Sequence, residues 1–212
     1  MKAETKVAFL ERHIYLASRS ARRRDILKQM GVSFEMLLLR EGSGREADFD
    51  EAPLAGEDPA QYASRVARLK AEAGWTRLEQ RRLLRYPVLA ADTTVALGGD
   101  ILGKPVDRED AVAMLKRISG TTHFVHSAVA VKYNDRFEEA LSTTQVRIRE
   151  LEDDEIRRYV ATGEPFDKAG AYGIQGRASL FIEHISGSYS GVVGLPIYDT
   201  ARLLASFGLR TT

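Results

Sequence analysis

Ten side chains spread along the chain are of types that could act together on one phosphorylated ligand. Arg22, Arg23, Lys70, Lys104 and Lys168 are the cations, Glu51 and Asp92 the carboxylates, and Ser18, Thr93 and Gln175 the polar readers. Cations neutralise a polyphosphate leaving group. A divalent cation on carboxylates polarises the phosphoryl oxygens, and a carboxylate orients or deprotonates the attacking water. Type and spacing alone reach a candidate nucleotide phosphohydrolase and go no further. Other chemistries lack their residues: the chain has no cysteine, which removes disulfides, thiolate zinc sites and a cysteine nucleophile. Its histidines, His13, His123, His126 and His184, form no H-x-x-x-H pair.

These residues need elements to carry them. His13-Ile14-Tyr15-Leu16-Ala17 is apolar enough for a buried strand, Ser18-Arg19-Ser20 is a turn, and Ile26, Leu27 and Met30 recur at helical spacing. Strand, turn and helix in that order aim backbone N–H groups and the positive helix end at one spot, where Arg forks match phosphate oxygens. A serine N-cap with a solvated basic turn accounts for the same local pattern. Glu51 closes a polar, Gly-containing loop that starts at Arg40, and a carboxylate brought to a phosphate site calls for a divalent cation beside it. Lys70 lies on a helix opened by Asp58-Pro59 and marked by Tyr62, Val66, Leu69 and Ala73, where a solvated face is the default reading of any one cation. That helix is expected to end at Gly74, with Trp75 to Tyr86 as a separate basic segment.

Asp92 is expected at the end of the buried run Val88-Leu89-Ala90-Ala91, where a carboxylate is costly unless a cation or hydrogen bonds hold it. Gly103-Lys104-Pro105 follows, its lysine informative only in company. From Glu164 to Gly176, three glycines in seven residues forbid a regular element and let the backbone approach a ligand. Lys168 adds charge there, and Gln175 has the donor and acceptor to read a base edge. An ordinary Gly-rich loop is the plainer alternative.

The remaining chain supplies the frame. Phe34 to Leu39 reads as a strand, and Asp107 opens a helix that stops at Ser119-Gly120. Thr122 to Tyr133 and Phe137 to Arg149 form a long hairpin about Asn134-Asp135, with His123 and His126 as packing or edge residues. A helix runs from Glu152 or Asp153 to Gly163. A strand covers Leu180 to Ser186, Gly187 to Gly191 turn, and Val192 to Pro196 is an apolar segment. Pro196 opens a terminal helix with Ile197, Ala201, Leu204 and Phe207 as its stripe. These elements predict an α/β protein, a mixed twisted sheet with flanking helices, whose two lobes enclose a central cleft. The lobes are not separable domains, so residues 1–212 read as one domain.

Composition agrees: 212 residues, 44% hydrophobic and 29% charged with a net charge of +1, describe a globular chain with no global basic excess. No nucleic-acid partner is expected, because Arg77, Arg81, Arg82 and Arg85 lack interleaved aromatics apart from Trp75 and Tyr86. Met1 to Lys6 has no long apolar region after it and no run approaches membrane-spanning length, so no membrane partner and a cytoplasmic location are expected.

Several ordered motifs resemble the Maf-like proteins: Leu16-Ala17-Ser18-Arg19-Ser20-Ala21-Arg22-Arg23, Ala91-Asp92-Thr93, Gly103-Lys104-Pro105, Ser119-Gly120, Asp167 through Gly176, and Val193-Gly194-Leu195-Pro196. The resemblance runs from Ile14 to Phe207. It implies a fold shared with the inosine triphosphatase group and a nucleoside triphosphate pyrophosphatase that splits the α–β phosphoanhydride with Mg²⁺ or Mn²⁺. It implies a nucleoside triphosphate substrate, a housecleaning role and, at family level, a homodimer. The loop spelled Lys-Ala-Gly-Ala-Tyr-Gly-Ile-Gln-Gly is similar to that of the branch acting on dTTP and UTP. Alternatives are the branch acting on 7-methyl-GTP and a nucleotide-binding regulator of cell division. By the same resemblance Asp92 is the proton acceptor, and Arg22, Thr93 and Gln175 bear on substrate choice. Ser18, Arg23, Lys70 and Lys104 bind phosphate, Lys168 belongs to the substrate set, and Glu51 joins Asp92 at the metal. Two features depart from the family pattern. Ala21 stands where many members have Pro, and the loop between Leu39 and Asp50 is longer than usual.

Overall fold

The computed structural model describes residues 13–40 and 47–211. The N-terminal stretch Met1 to Lys6 and residues 41–46 of the Arg40–Glu51 loop lie outside the described residues.

Strand β1 (His13–Leu16) is buried along its whole length, as its unbroken apolar run requires. Ser20 then caps helix α1 (Ala21–Gln29) by accepting from the Arg23 backbone N–H at 3.4 Å, and Ile26 and Leu27 turn inward. Strand β2 (Ser33–Met36) returns parallel to β1. It is shorter than the expected Phe34–Leu39 because the chain leaves the ladder after Met36. Leu37 makes one last bond to the Leu16 carbonyl at 3.0 Å.

Helix α2 (Pro59–Gln80) begins as its sequence signals, with the Asp58 carboxylate accepting from Ala60 and Gln61. It does not stop at Gly74. A Cβ there would lie 2.7 Å from Val88 Cγ1 and 3.2 Å from Ala17 Cβ, so this glycine lets the helix lie flat on the sheet and is not a cap. The basic segment from Trp75 is accordingly the same helix as far as Gln80, with Trp75 and Leu78 buried.

Strand β3 (Val88–Leu97) is also continuous through a point where the sequence suggested an end. Strand β5 (Thr122–Tyr133) pairs with it antiparallel from Val88↔Lys132 to Ala96↔Phe124, so Asp92, Thr93 and Thr94 occupy mid-strand positions. The short β4 (Asp100–Leu102) folds back on Val95–Leu97, and helix α3 (Arg108–Ile118) follows. β5 and β6 (Arg136–Ile148) form the expected hairpin, and helix α4 (Asp153–Ala161) comes next. Three 3₁₀ turns (Glu164–Asp167, Ala169–Ala171 and Arg177–Phe181) lead to strand β7 (Ile182–Ser186). The expected turn and apolar segment after Gly187 is instead a short helix α5 (Tyr189–Val193). Ser188 caps it by accepting from Gly191 N–H at 3.0 Å, too short a run to show helical periodicity. Helix α6 (Ile197–Ser206) closes the fold with Leu203 and Leu204 buried.

The result is a seven-stranded mixed sheet in the order β2-β1-β3-β5-β6-β7, with β4 on β3. Three apolar clusters pack on it. Ala63, Ala67 and Ala71 of α2 meet Val88, Ala90, Ala128 and Ala130 on one face. Leu27 of α1 and Leu204 of α6 meet Leu89, Ala91, Val129 and Val131 on the other. The third joins α3 and α4 to Val95, Val125, Val146 and Ile148 in a second lobe. No helix among the described residues is long and apolar enough to cross a membrane.

One detail of topology positions the site. Because β5 fills one edge of β3 along its length, β1 and β4 share the other edge. β1 pairs only with Val88 and Leu89, and β4 only with Val95 to Leu97. Between them Ala90 to Thr94 has no strand partner on that edge among the described residues. A cleft opens there, as open sheets provide a crevice where neighbouring connections diverge.

Candidate active site

The alternation of β3 sends neighbouring side chains to opposite faces. Asp92 shares the face of Val88 and Ala90, toward α2, and there Lys70 donates to its Oδ1 at 2.9 Å. Thr94, two residues on, donates its hydroxyl to Oδ2 at 3.0 Å. Glu51 approaches the same ammonium, its Oε2 3.3 Å from Lys70 Nζ. Lys70 is 9% exposed and therefore not on a solvated face; it is a buried cation shared by two carboxylates.

The segment carrying Glu51 is stapled to α2. Tyr62 donates its phenol to the Glu51 carbonyl at 2.9 Å, and Arg65 reaches the Ala52 carbonyl at 3.0 Å while pairing with Glu57 at 2.6 Å. Burial, reinforced by the Asp92 and Glu51 carboxylates, pushes the Tyr62 phenol up to about 12, so it stays a donor at neutral pH. The Arg65 guanidinium holds the Glu57 carboxyl down at about 2.

Thr93 projects to the opposite face, toward α1 and α5. Arg23 organises that side: its Nε donates to the Gly194 carbonyl at 2.9 Å, one guanidinium nitrogen to Ser18 Oγ at 3.1 Å and the other to Thr93 Oγ1 at 3.4 Å. The Ser18 hydroxyl also accepts from Ser20 N–H at 3.2 Å. Underneath lies Ser127, the β5 partner of Thr93 in register, donating to the Gly191 carbonyl at 2.6 Å with its Oγ 3.1 Å from Thr93 Oγ1. Arg22, one position earlier on α1, faces across the opening and meets Asp167 at 3.2 Å.

The third wall is the Gly-rich stretch. Lys168 bonds to the Glu164 carbonyl at 2.7 Å and pairs with Asp167. Burial tends to raise the Asp167 carboxyl, but Lys168 and Arg22 outweigh it and hold it below the usual carboxylate range. His123, fully buried in β5, is hydrogen-bonded through Nε2 to the Tyr172 hydroxyl at 2.8 Å beneath this loop. Burial lowers its imidazole to about 4 and raises the phenol of Tyr172. Lys104 and Gln175 are exposed and make no hydrogen bond or ion pair to a described residue.

All ten residues singled out in the sequence, Ser18, Arg22, Arg23, Glu51, Lys70, Asp92, Thr93, Lys104, Lys168 and Gln175, line one cleft of about 980 Å³. They fall into an acidic pocket around Asp92 and Glu51, a basic wall from α1, and a loop wall ending in Gln175. Sequence reading missed Tyr62, Thr94, Ser127 and Glu164, which hold the others in place. Ser127 could have been found only through the β3–β5 register, whereas Thr94, two residues after Asp92 on a strand, was accessible from periodicity.

The donor set suits a divalent cation that arrives with phosphate. Among the described residues no group of three or more His, Cys, Asp or Glu side chains comes together. Two carboxylates that already share a cation match the sparse protein ligation of Mg²⁺, whose shell is completed by water and substrate phosphate oxygens. The arrangement can therefore spread a polyphosphate between Arg23, Ser18 and Lys70 and present a carboxylate to a water beside it.

The chain is 57% identical over 200 residues to the dTTP/UTP pyrophosphatase of Aromatoleum aromaticum, covering 94% of this chain and 97% of that protein. It is 56% identical to the dTTP/UTP pyrophosphatase of Nitrosomonas europaea, covering 92% and 95%. Among solved structures, the Ham1 protein of Staphylococcus aureus superimposes with a TM-score of 0.42 at 15% identity, covering 64% of this chain and 71% of that one. Residues 13–207 match the family model described as Maf-like protein, and the chain belongs to that family.

Proposed function

We propose that this chain is a nucleoside triphosphate pyrophosphatase acting on dTTP and UTP, releasing the monophosphate and pyrophosphate. The observation that carries the chemistry is the buried Lys70 shared by Asp92 and Glu51, facing the Arg23–Ser18–Thr93 wall across the open edge of β3. The pyrimidine preference is brought over from the relatives' names and from the loop ending in Gln175.

In this reading the triphosphate lies along the basic wall. Arg23 is prepositioned by Gly194, Ser18 and Thr93, so little side-chain entropy is lost when it meets phosphate oxygens. Lys70 and Lys104 offset the charge that grows on the departing pyrophosphate. Asp92, held by Lys70 and Thr94, orients the attacking water and accepts its proton as the α–β anhydride opens. Asp92 and Glu51 would hold Mg²⁺ or Mn²⁺, which when bound withdraws charge from the phosphoryl oxygens. Gln175 reads the base edge, Lys168 steadies the nucleoside end, and Arg22 and Thr93 bear on which nucleotide is accepted. The same reading takes residues 1–212 as one Maf-like domain, acting on the nucleotide pool of the cytoplasm as a homodimer.

The test is pyrophosphate release from dTTP, UTP, CTP, 7-methyl-GTP and ITP with Mg²⁺ and then Mn²⁺. Release from dTTP and UTP ahead of the others is the expected result. Turnover confined to 7-methyl-GTP would move the chain to the other branch, and no turnover at all would overturn the enzymatic reading.

A further inference from the structure

We propose that Glu164 is the positioning residue for the base-reading loop, the post over which the turn carrying Gln175 is folded. This rests on the reading of Gln175 as the base reader given above.

Glu164 opens the first 3₁₀ turn after Gly163, and nothing in the sequence around it marks it as more than a solvated residue before a proline. Both of its carboxylate oxygens accept a hydrogen bond. Oε1 accepts the Tyr159 phenol at 3.0 Å, Oε2 accepts the Arg177 backbone N–H at 3.0 Å, and its own carbonyl accepts Lys168 Nζ at 2.7 Å. One residue thus ties the end of α4 to both flanks of the loop that bears Gln175. Tyr159 is itself fixed, 4% exposed and edge-to-face with Phe181 at 5.2 Å.

The glycines show how closely the loop sits on this carboxylate. Gly176 donates to the Gly173 carbonyl at 3.0 Å, so the two bracket Gln175 in a single turn. Gly176 has φ −102°, a backbone conformation open to any L residue. Conformation does not explain the glycine, but space does. A Cβ at this position would lie 2.0 Å from Glu164 Oε1 and 2.4 Å from its Cδ. A Cβ at Gly173 would lie 2.6 Å from Lys168 Cε, on the lysine that Glu164 holds. The absent side chains at these two positions make room for Glu164 and for the lysine it anchors. They are matched to the protein's own carboxylate as well as to any ligand.

Among the described residues the Glu164 carboxylate bonds only Tyr159 and the Arg177 N–H, and Lys168 is held by the backbone carbonyl that Glu164→Ala keeps, so loss of the carboxylate should change nucleoside recognition and spare the chemistry. Glu164→Ala is expected to raise KM for dTTP and UTP about tenfold, the size of one lost charge-assisted hydrogen bond, with kcat within about twofold. Glu164→Gln keeps the shape and one acceptor and should recover part of that loss. Gly176→Ala should raise KM in the native background. In the Glu164→Ala background, where the carboxylate is gone, it should add nothing, a non-additivity that general damage does not produce.

A substrate-free measurement separates this proposal from the reading beneath it. Amide hydrogen exchange over residues 173–177 should accelerate in Glu164→Ala with the rest of the protein unchanged. Unchanged exchange there, or Gly176→Ala and Glu164→Ala effects that simply multiply, overturns the positioning role. So does an equal fall of kcat for every nucleotide. Native protein that leaves dTTP and UTP intact overturns instead the reading of Gln175 on which the proposal stands.

Discussion

At one end of the cleft Asp92 and Thr93 ride on a strand laddered to β5 on one side, with α2 and α1 closing on either face. At the other end Lys168 joins two 3₁₀ turns and Gln175 sits in the turn before a third, with no ladder, fixed by Glu164, Tyr159 and the His123–Tyr172 pair. The first region takes its geometry from regular secondary structure, which tolerates little variation in where a carboxylate or guanidinium sits. The second takes its geometry from a few side chains pressed against glycines. In the proposed function, chemistry common to every triphosphate falls on the rigid end. Discrimination among bases can change on the loop without disturbing the sheet.

The sharpest way to break this contrast is Asp92→Asn. If the strand end performs the chemistry, kcat should fall about a thousandfold, within the range for a lost general base, by the same factor for every nucleotide accepted. Circular dichroism should show the fold intact, since Lys70 keeps Glu51 as a partner. A residual rate within tenfold of native would remove Asp92 from the reaction.

The second prediction concerns stability at the loop end. His123 is fully buried, and its Nδ1 has no hydrogen-bond partner among the described residues. Burial lowers its imidazole from 6.5 to about 4, so between those values the unfolded chain binds the proton that the folded one refuses. Stability therefore rises with pH across that window and is lost as pH falls from about 6.5 toward 4, by at most about 3 kcal/mol. Urea unfolding from pH 4 to 8 should show a steeper slope for native protein than for His123→Phe. Equal slopes would mean that His123 contributes nothing to the acid sensitivity of the fold.

Gln175→Ala should act more weakly and more selectively. Losing a base-edge contact should raise KM for dTTP and UTP about tenfold and narrow their advantage over other nucleotides, with kcat nearly native. Substrate panels run beside Asp92→Asn would then display the two ends separately, one uniform across bases and the other not. A uniform loss from Gln175→Ala would erase the distinction.

Legibility follows the same division. The β1-turn-α1 unit could be read from sequence because every signal is local: an apolar run, a serine cap, a helical period. Asp92 was found through the cost of a carboxylate beside an apolar run. Its place in mid-strand was missed because the polar triplet Asp92-Thr93-Thr94 imitates a strand end, and only the long pairing with β5 shows otherwise. Gly74 misled for a comparable reason. What it accommodates, Val88 and Ala17, is remote in sequence. Ser127 depended on a register that composition does not encode, and α5 was too short for any periodicity to show. The Gly-rich stretch was recognisable as an irregular segment, and it lines the cleft, but its support by Glu164 was not legible, since a lone glutamate before a proline carries no local signal.

The smallest effect tests how the two ends meet. Arg22 on α1 and Asp167 in the loop region face each other at 3.2 Å, and Asp167 also pairs with Lys168. With side chains 35% and 65% exposed, the Arg22–Asp167 bridge should stabilise the fold by no more than about 0.5 kcal/mol, so Asp167→Asn should melt nearly as native protein does. Its consequence for binding has the opposite sign to an ordinary lost contact. A triphosphate entering the cleft must take Arg22 from Asp167, and removing that competing carboxylate frees both Arg22 and Lys168 for the ligand. KM for dTTP should fall about two- to threefold at low ionic strength, and the gain should fade as salt approaches about 1 M, where the screening length shrinks to about 3 Å. A KM that rises at every salt concentration would show that Asp167 helps to hold the loop in its binding form, and the two ends of the cleft would then be coupled through this bridge.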